Sequence, residues 1–112
     1  MNTLERYVAA MNAHDAQGIA DCWVDEGAVF DDEAAKLLTG TPGYYEGKEA
    51  ILACFTGMCQ YGPKATIVKM ADDGMSMDYD IELVGHVLPC RGTIEVAGED
   101  GRYKVYSCRP RV

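Results

Sequence analysis

Apolar residues recur every three to four positions through the first half of the chain and every second position through the second half. Leu4, Tyr7, Val8 and Met11 stand at i, i+3, i+4 and i+7, which predicts a first helix with Tyr7 on its buried side. Asn2, with Glu5 three residues on, resembles a capping box. The run Asn12-Ala13-His14-Asp15 breaks that helix, and Asp15 is placed to cap a second one. The second helix carries Ile19, Cys22 and Trp23 on one face, is weakened slightly by Gly18, and closes at Glu26-Gly27. Ala28–Asp31 reads as a short strand, with Val29 and Asp31 on one face and Phe30 on the other. Residues Glu33–Leu38 suit a short helical turn, Thr39–Gly43 a loop, and Tyr44-Tyr45 a brief strand. A further helix opens at Gly47-Lys48-Glu49, carries Ile51, Cys54, Phe55 and Met58 at helical spacing, and stops at Gly62-Pro63.

Beyond that point the period is two. Strands are predicted over Lys64–Met70, Met75–Val84, Val87–Val96 and Tyr103–Arg109, joined through Asp72-Asp73-Gly74, Gly85-His86 and Gly98–Gly101. On the second of these, Met77, Tyr79, Ile81 and Leu83 alternate with Ser76, Asp78, Asp80 and Glu82. The acidic set is read as a solvated face and not a metal cluster, because alternate residues of a strand spread along it and do not converge. Three helices followed by a four-stranded antiparallel meander make an α+β domain. A curved sheet wrapped over helices encloses a concave space of the kind that binds small ligands.

Composition narrows this picture. The 112 residues, 48% hydrophobic, suit one domain over residues 1–112 with a real core. A net charge of −8 argues against nucleic acid and anionic membranes. No apolar run approaches the ~20 residues of a membrane helix, and no signal peptide is visible, so a cytoplasmic location is expected. Five cysteines without a CxxC support neither paired disulfides nor zinc. They read as buried small apolar residues, and nothing in the sequence identifies a base for a cysteine nucleophile. His14 and His86 fall in a break and a turn and are expected to be exposed. Arg109 and Arg111 are expected to be a solvated end. No metal and no cofactor is expected.

The run RYVAAMNAHD…GIADCWVDEGAVFDD resembles the bacterial ketosteroid isomerases of the nuclear transport factor 2-like superfamily, which also holds polyketide cyclases (SnoaL-like proteins), limonene-epoxide hydrolase and scytalone dehydratase. Gly47-Lys48-Glu49-Ala50-Ile51 is similar to the segment that opens the third helix of that superfamily. The resemblance implies a cone-shaped α+β barrel, with three N-terminal helices packed on a curved antiparallel sheet, and a homodimer. It also implies a catalytic pair: Tyr7 donating a hydrogen bond to a substrate oxygen, and Asp31 moving a proton between two substrate carbons. A buried phenol is a good neutral donor to a developing enolate, and a partly desolvated carboxylate is a better base.

The isomerases use a third group, a protonated aspartate on a later strand. The equivalent stretch here, Pro89-Cys90-Arg91-Gly92-Thr93, holds no Asp or Glu, and Gly92 or Arg91 falls at the position. Arg91, Tyr79 or Tyr106 is a candidate replacement donor, and Trp23, Phe55, Tyr79 and Arg91 are expected to line the ligand space. Asp31 is followed by Asp32 and Glu33 where the isomerases have proline, and the stretch from Asp31 to Gly47 is longer. Leu37 and Leu38 are read as a lid over the pocket or as a dimer edge. The hydrolase reading needs an Arg-x-Asp that Arg91-Gly92-Thr93 lacks, and the dehydratase reading needs paired cavity histidines. Two functions stay open: cofactor-free proton transfer on a small hydrophobic carbonyl compound, and a non-catalytic ligand-binding or dimeric scaffold protein of the same fold.

Overall fold

The structure, a computed structural model, describes residues 1–111 apart from the side chains of residues 38 and 39. Helix α1 (Thr3–Asn12) starts with the expected capping box: Glu5 N donates to Asn2 Oδ1 at 2.8 Å and Asn2 N to Glu5 Oε1 at 2.9 Å. Leu4, Tyr7, Val8 and Met11 are buried along its inner face. His14, with φ of 55°, turns the chain out of the helix. Asp15 then caps α2 (Ala16–Ala20) by accepting from Gly18 N at 3.0 Å. This helix is shorter than the apolar spacing suggests. Trp23 lies beyond its end, in a parallel bridge to Tyr103.

Strand β1 (Val29–Asp32), helix α3 (Glu33–Thr39) and strand β2 (Tyr44–Glu46) lead into helix α4 (Lys48–Cys59). The second half holds β3 (Lys64–Met70), β4 (Ser76–Leu83), β5 (His86–Ala97), a 3-10 turn (Glu99–Gly101) and β6 (Tyr103–Pro110). All six strands form one sheet in the order β2-β1-β6-β5-β4-β3. The fold is therefore α+β as expected, with two corrections. The sheet is open, because β2 and β3 form two unpaired edges and do not close a barrel, and it is mixed, because β1 runs parallel to β6. The helices, not further strand pairing, span the gap: α1 packs on β3 and α4 on β1 and β2.

The β4–β5 hairpin turns through Val84-Gly85, one residue earlier than Gly85-His86, since Leu83 pairs directly with His86. Both turn residues have positive φ, 51° and 77°. That matches a type I′ turn, whose twist suits the flanking strands.

Aromatic rings fill the space between helices and sheet. Tyr7 meets Trp23, Phe55, Tyr79, Tyr103 and Tyr106 with ring centroids 5.2 to 6.2 Å apart. Such pairs contribute about 0.5–1.5 kcal/mol each beyond their buried area. On the outer face Asp78 pairs with Arg91, and Arg111 with Asp80 at 2.7 Å, so the acidic strand face is an ion-paired surface. Arg111 also donates to the carbonyls of Cys90 (3.0 Å) and Tyr79 (3.2 Å). It is thus a clamp across β4 and β5 and not the free end expected. Arg109 likewise pairs with Glu33, at 2.7 Å, tying β6 to α3. Among the described residues no helix is long and apolar enough to cross a membrane.

Candidate functional site: an apolar cavity with one carboxyl

The concave face of the sheet and the helices above it enclose a cavity of about 350 Å³. Tyr7, Phe30, Phe55, Cys90 and Cys108, all buried, form its inner walls, while Gln60 and Tyr61 at the end of α4 are exposed and mark its mouth. Met58, Ile81, Leu83 and Leu88 make the sides. Among the lining residues Asp32 alone carries a carboxyl group.

Asp32 reaches the cavity through strand parity. Phe30 and Asp32 share the inward face of β1, beside Tyr106 and Cys108 of β6 respectively. Its Oδ1 accepts from Ala35 N at 3.0 Å, so the side chain also caps α3. Burial pushes the carboxyl up to about 6; the Ala35 N–H opposes this, and the charge of Asp31 adds to it. Gly43 holds the next loop close: its φ is 71°, and a Cβ there would collide with the Asp32 carbonyl.

Asp31, the residue expected in the pocket, does not line it. It points to the opposite face of β1, one-third exposed, with Arg109 at 4.0 Å. The reason is the two-residue period of the strand: a carboxylate one position from Asp32 must face the other way.

Tyr7 does line the cavity. Burial pushes its phenol well above the ordinary value, so it is a neutral donor. Phe55 lines the cavity as expected. Trp23 does not; it is fully buried in the core, with Nε1 donating to the Val29 carbonyl at 3.0 Å. Tyr79 stands just behind the wall, accepting from Tyr106 Oη at 3.1 Å and donating to Cys108 Sγ at 3.1 Å.

Arg91 faces outward and is exposed, with Nε on Asp78 Oδ1 at 2.8 Å and Nη2 on Oδ2 at 3.4 Å. It cannot act as a donor in the cavity. Its neighbour Gly92 faces inward, and the space a side chain would take there holds the Tyr106 hydroxyl; Tyr106 Cζ would lie 2.8 Å and Tyr79 Cε1 3.0 Å from an added Cβ. The place of a third acid is thus filled by two tyrosines.

Leu37 is 73% exposed and does not line the cavity; the Leu38 side chain lies outside the described residues. Ala34, Ala35 and Thr41 of the α3 segment border the cavity instead. His14 and His86 are exposed, as expected. All five cysteines are free, and three of them (Cys54, Cys90 and Cys108) face the cavity. Burial pushes the Tyr45 phenol up to about 12, with Cys54 acting in the same direction. Among the described residues no group of three or more His, Cys, Asp or Glu is placed to hold a metal ion.

Sequence reasoning missed Asp32 and the cavity cysteines, and named Tyr106 only as a candidate donor. For Asp32 the signal was weaker but present: Phe30 is the large aromatic of a strand that also holds Val29 on the other face, and residue 32 shares the face of Phe30. For Cys90 and Cys108 no signal existed, because they meet only through pairing of β5 with β6.

The cavity sits in a fold shared with several solved structures. A nuclear transport factor 2-like protein of unknown function from Cytophaga hutchinsonii matches at 17% identity, covering 97% of this chain and 87% of that one, with a TM-score of 0.73. A SnoaL-like protein of unknown function from Burkholderia thailandensis matches at 15% identity over 97% and 92%, with a TM-score of 0.74. A candidate ketosteroid isomerase from Kribbella flavida matches at 16% identity over 98% and 76%, with a TM-score of 0.71. No curated protein matches the chain. The sequence profile of the SnoaL-like domain matches residues 4–106, nearly the whole chain, and this makes the protein a member of the SnoaL-like family, with a fold like that of the nuclear transport factor 2-like structure above.

Proposed function

We propose that the cavity takes a small hydrophobic carbonyl compound and that Asp32, not Asp31, moves a proton on it. The observation that carries this reading is a single carboxyl in an otherwise apolar cavity, held near 6 by burial. A base with a pKa close to the working pH combines a usable ionised fraction with real basicity. Tyr7 shares the cavity as a neutral phenol. Its role is to donate to the oxygen that gains charge when the adjacent carbon loses its proton. The chemistry uses no cofactor.

The test is an absorbance assay with a Δ5-3-ketosteroid, run beside Asp32→Asn and Asp31→Asn. The expected result is measurable turnover, lost by about 10²-fold or more in Asp32→Asn and retained in Asp31→Asn. Turnover no greater than that of Asp32→Asn sinks the isomerase reading.

One observation favours a second reading, a non-catalytic binding protein. Tyr106 Oη donates to Tyr79 Oη and Tyr79 Oη to Cys108 Sγ, so the hydroxyls just behind the cavity wall are already engaged with one another. A steroid that binds without turnover would support it.

A further inference from the structure

Among the described residues, four hydroxyl side chains line the cavity: Tyr7, Thr41, Tyr45 and Tyr61. Tyr61 is 65% exposed at the mouth. Tyr79 and Tyr106, behind the wall, are engaged with each other and with Cys108. A carbonyl oxygen has two lone pairs, and Tyr7 supplies one donor to them. Tyr45 is the phenol placed to supply another. It belongs to β2, on the stretch between Asp31 and Gly47, where it pairs with Phe30 of β1. Its ring stacks on Phe30 with centroids 5.9 Å apart, and Phe30 stacks on Phe55 at 5.2 Å. That stack holds the Tyr45 ring on the cavity side of the edge strand, while its neighbour Tyr44 is exposed.

Asp32 is the next inward residue of β1 after Phe30. Across from it lies Gly43, whose carbonyl accepts from Asp32 N. Gly43 puts no side chain into that place, so Tyr45, two residues on, is the first side chain of β2 on the same face as Asp32. Diagonal neighbours of this kind lie within reach of an aromatic side chain.

We propose that Tyr45 is a second oxygen donor of this cavity, giving a hydrogen bond to the ligand oxygen beside Asp32. The assignment rests on the proton-transfer reading for the ligand being a carbonyl compound, and it names the group that works with Tyr7. Asp32 takes a proton from the carbon next to the carbonyl. The C–H electron pair forms a C=C bond, and the carbonyl π pair moves to the oxygen as an enolate. Tyr7 and Tyr45 donate to that oxygen and keep their own protons, and Asp32 returns its proton to a ligand carbon. Burial, with the charge of Asp32 adding to it, keeps the Tyr45 phenol protonated and therefore a donor.

The test is a fluorescence titration of the full chain with 2-naphthol, whose oxygen stands in for that of the enolate, and with naphthalene, which has none. Both probes are run on Asp32→Asn, so that no carboxylate repels the anion, and on Asp32→Asn combined with Tyr45→Phe, which keeps the ring stack. At pH 10, where the naphtholate is populated and Tyr45 is still protonated, the second substitution should weaken 2-naphthol by about tenfold or more. At pH 7, where the probe is neutral, the loss should be smaller, because hydrogen bonds to charged groups are the stronger ones. Naphthalene should bind both variants alike. Equal 2-naphthol affinity in the two variants overturns the proposal. So does an equal loss of both probes, or a loss that does not change with pH, since either makes Tyr45 a wall residue only. The probes bind without reacting, so failure of this donor and failure of proton transfer in the ketosteroid assay are read independently.

Discussion

At the residue scale, Asp31 and Asp32 are neighbours with opposite surroundings. One sits on the outer face near Arg109, the other on the cavity. This gives Asp32 a cost that depends on pH. Its folded-state value of about 6 lies above the ordinary 3.8. The neutral form is therefore the one the fold favours. Stability is greatest below about 4, where the carboxyl is protonated folded or unfolded, and falls as pH rises through about 6. The difference is about 2 pK units, or up to about 3 kcal/mol once both states are ionised. Asp32→Asn keeps an oxygen for Ala35 N and never ionises. It should equal wild type in urea unfolding at pH 4 and exceed it by about 1–3 kcal/mol at pH 8. A gap that does not widen with pH would show that the carboxyl is not strained by its site.

Gly92 supplies a second residue-scale prediction. An added methyl meets the rings of Tyr106 and Tyr79 in a close-packed wall. Overpacking of this kind costs about 1–3 kcal/mol. Gly92→Ala should lower Tm by several degrees, and calorimetry showing no change would mean the two rings can move aside. Restoring an acid at this position fails for the same reason.

At the scale of elements, the β4–β5 hairpin carries a local conflict. Val84 holds a φ of 51° on a β-branched side chain that is 67% exposed. Left-handed backbone costs most for β-branched residues, and here little burial offsets it. Asn-Gly is the preferred pair for such a turn. Val84→Asn should raise the urea midpoint, by about 1 kcal/mol of stability, with an unchanged m-value. The conflict explains why the turn was expected one residue late: Val84 reads as a strand residue, and only the Leu83–His86 pairing makes it a turn. Helix α2 shows the reverse effect. Its apolar spacing continues to Trp23, but the chain leaves the helix early so that Trp23 can pair with Tyr103.

At the scale of the molecule, the open sheet leaves β2 and β3 as edges with helices beside them. The superfamily resemblance implies a homodimer. Light scattering should give twice the mass of one chain, and a mass near that of one chain would refute it.

Much of the architecture was legible because it is written in local chemistry. The capping box at Asn2, the Asp15 cap, the switch from a helical to an alternating period and the inward set Met77, Tyr79 and Ile81 each depend on residues a few positions apart. Helical spacing put Tyr7 and Phe55 on buried helix faces, and both line the cavity. What tertiary structure decided is everything that depends on which strands lie side by side. Parallel pairing of β1 with β6 sets Asp32 beside Cys108, and pairing of β5 with β6 brings Cys90, Gly92 and Cys108 to one wall. Cys108 is 16 or more positions from Asp32, Cys90 and Gly92, so no periodicity connects it to them. Arg91 could be given an inward role from sequence because a strand has two faces, and only packing against the helices decides which one is the cavity.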